Sequence, residues 1–270
     1  MIAISQLRLP AVSPEGMHAI DLLNQDEPDI RALTECILRD SISALALIKY
    51  ANSPLFRRPT PIDSVHGAIR VLGLRNVRSA LLVATIRGLA ENLPQNCWII
   101  ARHCTDCAFL AARLVQNIQP EIVDEMAFLG LIHDMGMLIL ASNFPEAYSR
   151  IMDLSISEGE VIGNLEEAEF GVQHDDIIER LFKDFRLPVE QINLLSCYHR
   201  EVCLPDDDPQ LIRRMVLDLA HAIWTDSLGE IAFHETCGDQ DIEGLTARLG
   251  IMPDDLTAIR DEYIRLKDAS

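Results

Sequence analysis

Five histidines stand where they could do chemistry: His103, His133, His174, His199 and His221, each in a segment with helical patterning. His133 is followed directly by Asp134, in the middle of the apolar run 126–142. A buried carboxylate left uncompensated costs several kcal/mol. A divalent cation shared by imidazole and carboxylate would compensate it, and so would an arginine or a helix N-terminus. Taken alone, the pair reads more simply as structural. The other histidines also have plain readings. His174, followed by Asp175 and Asp176, fits a helix start whose acids favour the dipole. His199, beside Arg200 and Glu201, fits a solvated helix end, His18 and His66 fit helix surfaces, and His234 fits a loop. Cys104 and Cys107 read as buried thiols on a helix. Dinucleotide, Walker-type and nucleophile-elbow patterns are absent, so those chemistries have no support.

The elements that must position these groups are helical. Asp29 is a plausible N-cap for a helix over 29–39 with Ile30, Leu33 and Ile37 on one face, and 41–51 repeats the pattern. Asn52, Ser53 and Pro54 stop that helix, and Pro59 and Pro61 make a turn-rich loop. A stripe of Val65, Ala68, Ile69 and Leu72 ends at Gly73, and a long helical pattern runs over 75–90. Further helices are expected over 97–117 and near 145–157, 174–185, 188–200, 209–227, 241–249 and 254–267, with Pro120 suited to a first turn. Loop signals fall at Asp206–Pro209 and at Gly238 and Asp239. The run 126–142 reads as a buried helical segment, too short and too polar at its middle for a membrane span. No period-2 runs occur, so the expected class is all-α.

The chain has 270 residues, which allows one or two domains, and 49% are hydrophobic, which excludes general disorder. Its net charge is −19, unevenly spread. Residues 1–92 carry ten basic and nine acidic side chains, leaving 13 basic and 33 acidic over 93–270, a net −20 there. The best break, 91–96, lies at the same place, giving lobes 1–92 and 93–270. Wrapping of DNA by so acidic a chain is excluded, because phosphates are neutralised by Lys and Arg. Arg57, Arg58, Arg70, Arg75, Arg78 and Arg87 read as surface charges, or as a face for an acidic partner or for the acidic half of this same chain. No secretory signal pattern opens the chain, and seven cysteines, an odd number, fit a reducing cytoplasm.

The residues around the His-Asp pair change its reading. The run Gly130-Leu-Ile-His133-Asp134-Met-Gly136 resembles the central motif of the HD superfamily of metal-dependent phosphohydrolases, and WIIARHCTDCAFLAA (98–112) resembles the helix that precedes it. The chain is similar over nearly its whole length to one branch, the HDOD domain: Leu9-Pro10, residues 39–43 and 50–53, residues 62–77, Gly171 to His174, Phe185 to Pro188, and Tyr198-His199 all match its landmarks. The resemblance implies a two-lobed all-α fold with an HD-like helical bundle. It also implies a divalent transition metal, iron, manganese or zinc, on His103, His133 and Asp134. A distant aspartate completes the HD pattern, and here His221 rather than Asp218 aligns with it. His174 and His199 would extend the site towards the two-metal arrangement of HD-GYP phosphodiesterases.

Two departures weigh against hydrolysis. Catalytic relatives show Gly-Lys after the pair, whereas this chain has Gly136-Met137, so an ammonium for a phosphate oxygen is missing. The Gly-Tyr-Pro loop of the cyclic-dinucleotide enzymes is absent too. The resemblance therefore implies a cytoplasmic bacterial signalling module with a degenerate or structural metal site, acting through contacts with an unidentified signalling partner. The alternative is a metal-dependent phosphohydrolase, with Asp134 as its catalytic side chain and a phosphoester or nucleotide as ligand. An acidic field favours cations and repels phosphoesters, which leans towards the first.

Overall fold

Several helices begin where the sequence supplies an acceptor for their first amides. Asp29 accepts from the amides of Arg31 (2.9 Å) and Ala32 (3.1 Å) at the start of α2 (Ile30–Leu38), as expected. Ser13 caps α1 (Pro14–Leu23), accepting from Gly16 at 2.9 Å. Asp40 opens α3 (Ser41–Ala51), accepting from the amides of Ile42 and Ser43. The following helix, α4 (Val65–Ala90), breaks at Gly73, whose φ of 70° suits a residue without a Cβ. This computed structural model describes residues 2–8, 13–25, 27–52, 56, 58–90, 93–184, 187–199, 204–228 and 242–268. Leu9, Pro10, Ser53, Pro54, Arg57, Phe185, Arg200, Glu201, His234, Gly238 and Asp239 lie outside the described residues.

The chain divides into two compact units, Leu9–Asn92 and Met1–Arg8 with Leu93–Ser270. In the first, α4 packs against α1, α2 and α3, closing over Ala19, Ile20, Leu33, Ile37 and Leu47, all buried. The arginines of this unit have unlike surroundings. Arg70 and Arg75 are exposed, while Arg78 turns onto the end of α1, donating to Asn24 Oδ1 and the Leu23 carbonyl. Asp40 also ties α1 to α3, because its carboxylate accepts from the hydroxyls of Ser13 (2.5 Å) and Ser43 (2.7 Å). Burial pushes its pKa up, but those hydroxyls and amides outweigh burial and hold it below the ordinary value. Asp40→Ala is expected to cost about 1 kcal/mol in urea unfolding at pH 7. With the folded-state pKa depressed, that contribution should persist above about pH 4 and shrink as the pH falls below it.

The second unit is built on α5 (Trp98–Val115), which packs against α6 (Val123–Ile132), α7 (Met135–Asn143), α12 (Leu211–Leu228) and α14 (Pro253–Asp268). The remaining elements are α8 (Pro145–Glu158), α9 (Ile162–Phe170), α10 (His174–Asp184), α11 (Val189–Ser196) and α13 (Ile242–Leu249). The short N-terminal segment joins this unit, Ile2 donating its amide to the Phe170 carbonyl at 2.7 Å and Arg8 to Asn143 Oδ1 at 2.8 Å. Among the described residues there is no strand, and no helix is long and apolar enough to cross a membrane.

The apolar run 126–142 is two helices, not one segment. Its second helix, α7, is buried on every side from Met135 to Ala141, as a helix apolar all round must be. The break falls at the His-Asp pair: His133 is still helical (φ −58°, ψ −35°), and Asp134 leaves the helix (φ −105°, ψ 20°) for the region where turn and active-site residues concentrate. α9 has no counterpart in the sequence reading, α1 only that of His18 as an exposed helix residue, and α11 ends at Ser196, so His199 lies beyond it.

Candidate metal centre

Two close crossings bring the histidines together. A Cβ on Gly130 would stand 2.7 Å from the Cys107 carbonyl oxygen and 2.9 Å from the Ala108 Cα, so α5 and α6 touch backbone to backbone there. One turn from that contact on each helix, His103 and His133 face each other. A Cβ on Gly136 would stand 2.2 Å from the His174 carbonyl oxygen, so the start of α7 rests on the start of α10. The glycines flanking the motif are thus the spacing device for its ligands. Gly136→Ala is expected to cost about 3 kcal/mol by chemical denaturation, since the obstruction is backbone and cannot rotate away.

The donors converge on Asp134. His103 Nε2 lies 2.9 Å from His133 Nε2 and 3.0 Å from Asp134 Oδ2, and His133 Nε2 lies 3.3 Å from that same oxygen. His199 Nε2 approaches the other oxygen, Oδ1, at 3.4 Å, and His174 Nε2 lies 2.9 Å from His199 Nδ1. The sixth predicted residue, His221 on α12, sets its ring edge-on to that of His103, centroids 4.8 Å apart. Asp134, His103, His133, His174 and His221 are at most 4% exposed, and the His199 side chain is 7% exposed. The structure therefore brings all six predicted site residues together, and the reading of His199 as a solvated helix end fails. Asp218, one turn from His221, instead receives the Arg214 Nε at 3.1 Å on both its oxygens.

Three of the rings, those of His133, His174 and His199, are oriented from behind by an acceptor. The Gly130 carbonyl can only accept, so His133 Nδ1 carries the proton in their 2.8 Å bond and Nε2 presents a lone pair. Burial, reinforced by the fields of His103 and His199, lowers the pKa of His133 to about 4, keeping the ring neutral. Glu166, wholly buried on α9, accepts from His174 Nδ1 (2.6 Å), from the His174 amide (2.8 Å) and from the Tyr148 hydroxyl. Burial opposes charge on His174, but Glu166 outweighs it and lifts the pKa to about 10. A cation at its Nε2 would thus displace a proton. Asp175 receives the Nδ1 (2.8 Å) and the amide (3.1 Å) of His199. Burial pushes Asp175 up, but His199 and His174 hold it well below the usual carboxylate range. His103 rests against Trp224, centroids 4.2 Å apart, and Trp224 donates its indole N–H to Asp106, as does the Tyr263 hydroxyl.

This arrangement fits a cation. With Nδ1 of His133 protonated, His133 Nε2 and Asp134 Oδ2 are both lone-pair donors crowded to 3.3 Å. A proton on His103 Nε2 would lie within reach of both, and a bound divalent ion would satisfy all three. Anchoring the far nitrogen of each imidazole to an acceptor is the usual support for a metal-ligating histidine. Glu166 and Tyr148 were not singled out from sequence, and Asp175 was read there only as a helix-start acid. The signal existed for one of them: Ile162, Glu166 and Phe170 form an i, i+4, i+8 stripe, all buried, and a carboxylate on an apolar stripe needs a partner. The helix-start reading holds, since α10 opens at His174 with Asp175 and Asp176 in its first turn; Asp176 accepts from the Gln173 amide at 2.9 Å, and Asp175 receives His199 besides.

The comparisons agree with this architecture. An HDOD domain protein of Geobacter sulfurreducens superposes with a TM-score of 0.69 at 20% identity, over 96% of this chain and 94% of that one. A candidate signal transduction protein of Marinobacter aquaeolei gives 0.68 at 20% identity, over 98% of this chain and 62% of that one. A candidate metal-dependent phosphohydrolase of Shewanella amazonensis gives 0.63 at 18% identity, over 96% and 94%. At these identities the likeness is one of fold, and it bears out the all-α HDOD expectation. No curated protein matches the chain. The HDOD domain family profile matches residues 9–201, most of the sequence, and the chain belongs to the HDOD domain family.

Proposed function

We propose that the chain is a cytoplasmic signalling module of bacterial type that carries a buried metal centre and acts through contacts with a protein partner rather than by hydrolysis. The lobe over 93–270 supplies the centre, and the lobe over 1–92 the partner surface. The ligands are His103, His133, Asp134 and His221 on one side, and Asp134, His174 and His199 on the other, for iron, manganese or zinc. The observation that carries this reading is the pairing of a complete, buried donor set with Met137. That side chain, fully buried, stands where catalytic relatives place an ammonium. Cys36, Cys97, Cys104 and Cys107 are free thiols, in keeping with a reducing compartment, and a structural neighbour described as a signal transduction protein fits the regulatory role.

One observation favours the second reading, a metal-dependent phosphohydrolase. Asp134 addresses different histidines with its two oxygens, as a residue shared by two ions would. Bound ions would supply a water of lowered pKa and polarise a phosphoryl group. Metal-reconstituted protein, offered phosphomonoesters, nucleotides and cyclic dinucleotides, is expected to show no turnover above that of Asp134→Ala. Robust hydrolysis abolished by that substitution would establish the enzyme instead.

A further inference from the structure

The two sides of Asp134 differ in chemistry. Beside Oδ1, both imidazoles lean on carboxylates, His174 on Glu166 and His199 on Asp175. Beside Oδ2, His133 leans on a neutral carbonyl, and His103 is surrounded by Trp224, by His221 and by the Cys107 sulfur, 3.6 and 3.7 Å from its two ring nitrogens. Cys107 is buried and within reach of both His103 and His133 as a third donor. The Oδ2 side therefore sets two imidazoles against that carboxylate oxygen, with the His221 ring and the Cys107 thiol packed beside His103.

The ring spacings point the same way. Imidazoles sharing an ion at about 2.1 Å have centroids about 3.2 Å from it, so pairs at right angles lie about 4.6 Å apart and opposed pairs about 6.5 Å. His103–His133 is 4.9 Å, His103–His221 is 4.8 Å and His133–His221 is 6.3 Å. The two pairs that include His103 fall between the right-angle value and the roughly 5.2 Å of a tetrahedral pair, and His133–His221 is wider, so the His103 ring stands between the other two. Asp218, which could have added a hard oxygen from the same helix, is taken by Arg214.

Hard ions such as Mg²⁺ and Mn²⁺ favour carboxylates, carbonyls and water, whereas imidazole and thiolate suit zinc and its neighbours. We propose that the Oδ2 side is a site for a borderline divalent cation of the zinc class, and that His221, where the HD pattern has an aspartate, sets its preference over manganese. The inference rests on the metal-centre reading and adds the identity of the ion.

The test is equilibrium dialysis of the metal-stripped full chain against equal concentrations of Zn²⁺ and Mn²⁺, with both counted by mass spectrometry. The wild type is expected to take up zinc in excess, and His221→Asp to lower its zinc-to-manganese ratio by about tenfold or more. Circular dichroism checks the fold, and His221→Asn, which also replaces the imidazole nitrogen pair, serves under the same criterion if the aspartate variant unfolds. An unchanged ratio in a folded variant that still binds metal overturns the role of His221 and leaves the centre standing. A wild type that binds neither ion overturns the metal centre itself, and this inference with it.

Discussion

Asp134→Asn is expected to remove metal-dependent stabilisation altogether while leaving the metal-free protein at least as stable as the wild type. Asp134 is wholly buried and offers an oxygen to each half of the centre. Losing a hydrogen-bond partner behind a ligand typically costs 10–100-fold in metal affinity, so losing the shared ligand should cost more than about a hundredfold on both sides. Ion at about a hundred times its dissociation constant adds about 2.7 kcal/mol, or about 5–10 °C in melting temperature for a unit of this size. The wild type should gain that shift on adding metal and the variant none. In the absence of metal the order should level or reverse, because asparagine removes a buried charge at nearly constant volume. Thermal melts with and without added zinc measure both halves of this crossover. A variant that gains as much as the wild type would show that Asp134 is not a ligand.

Glu166→Ala should be the most destabilising single change in the second unit, by about 3–5 kcal/mol in urea unfolding. It strips three donors of their acceptor at once: the His174 ring, the His174 amide and the Tyr148 hydroxyl, all in a region with no exposed surface. Tyr148→Phe removes only one of these bonds and should cost about 1–2 kcal/mol. Glu166→Gln, which keeps an acceptor and the volume, should fall between them. A cost for Glu166→Ala below that of Tyr148→Phe would mean that the carboxylate does not hold His174 in place.

What the sequence disclosed follows from how each residue earns its position. Asp29 was legible as a cap because a side-chain acceptor ahead of an apolar stripe has one common use, and the structure places it there. The helices over 98–115 and 211–228 were legible from amphipathic spacing. By contrast, α7 is buried all round and has no polar face to mark its ends, so the break at His133 and Asp134 could not be read from periodicity. The stripe of α9 is interrupted by Glu166, the very residue that supports His174, and so no helix was read there. The six histidine and aspartate positions came from resemblance to the HD pattern, since His174 and His199 are separated by 25 residues and no local rule pairs them. Only the fold shows that Gly130 and Gly136, by their lack of a side chain, set the helix crossings that make the group compact.

The central claim is that these six residues form one metal centre organised by Asp134. Elemental analysis of untagged protein, purified without chelator, tests it most directly. The account predicts about one to two equivalents of iron, manganese or zinc per chain, falling to background in Asp134→Ala. Wild-type protein that carries no stoichiometric metal, and takes none up on reconstitution, would contradict it.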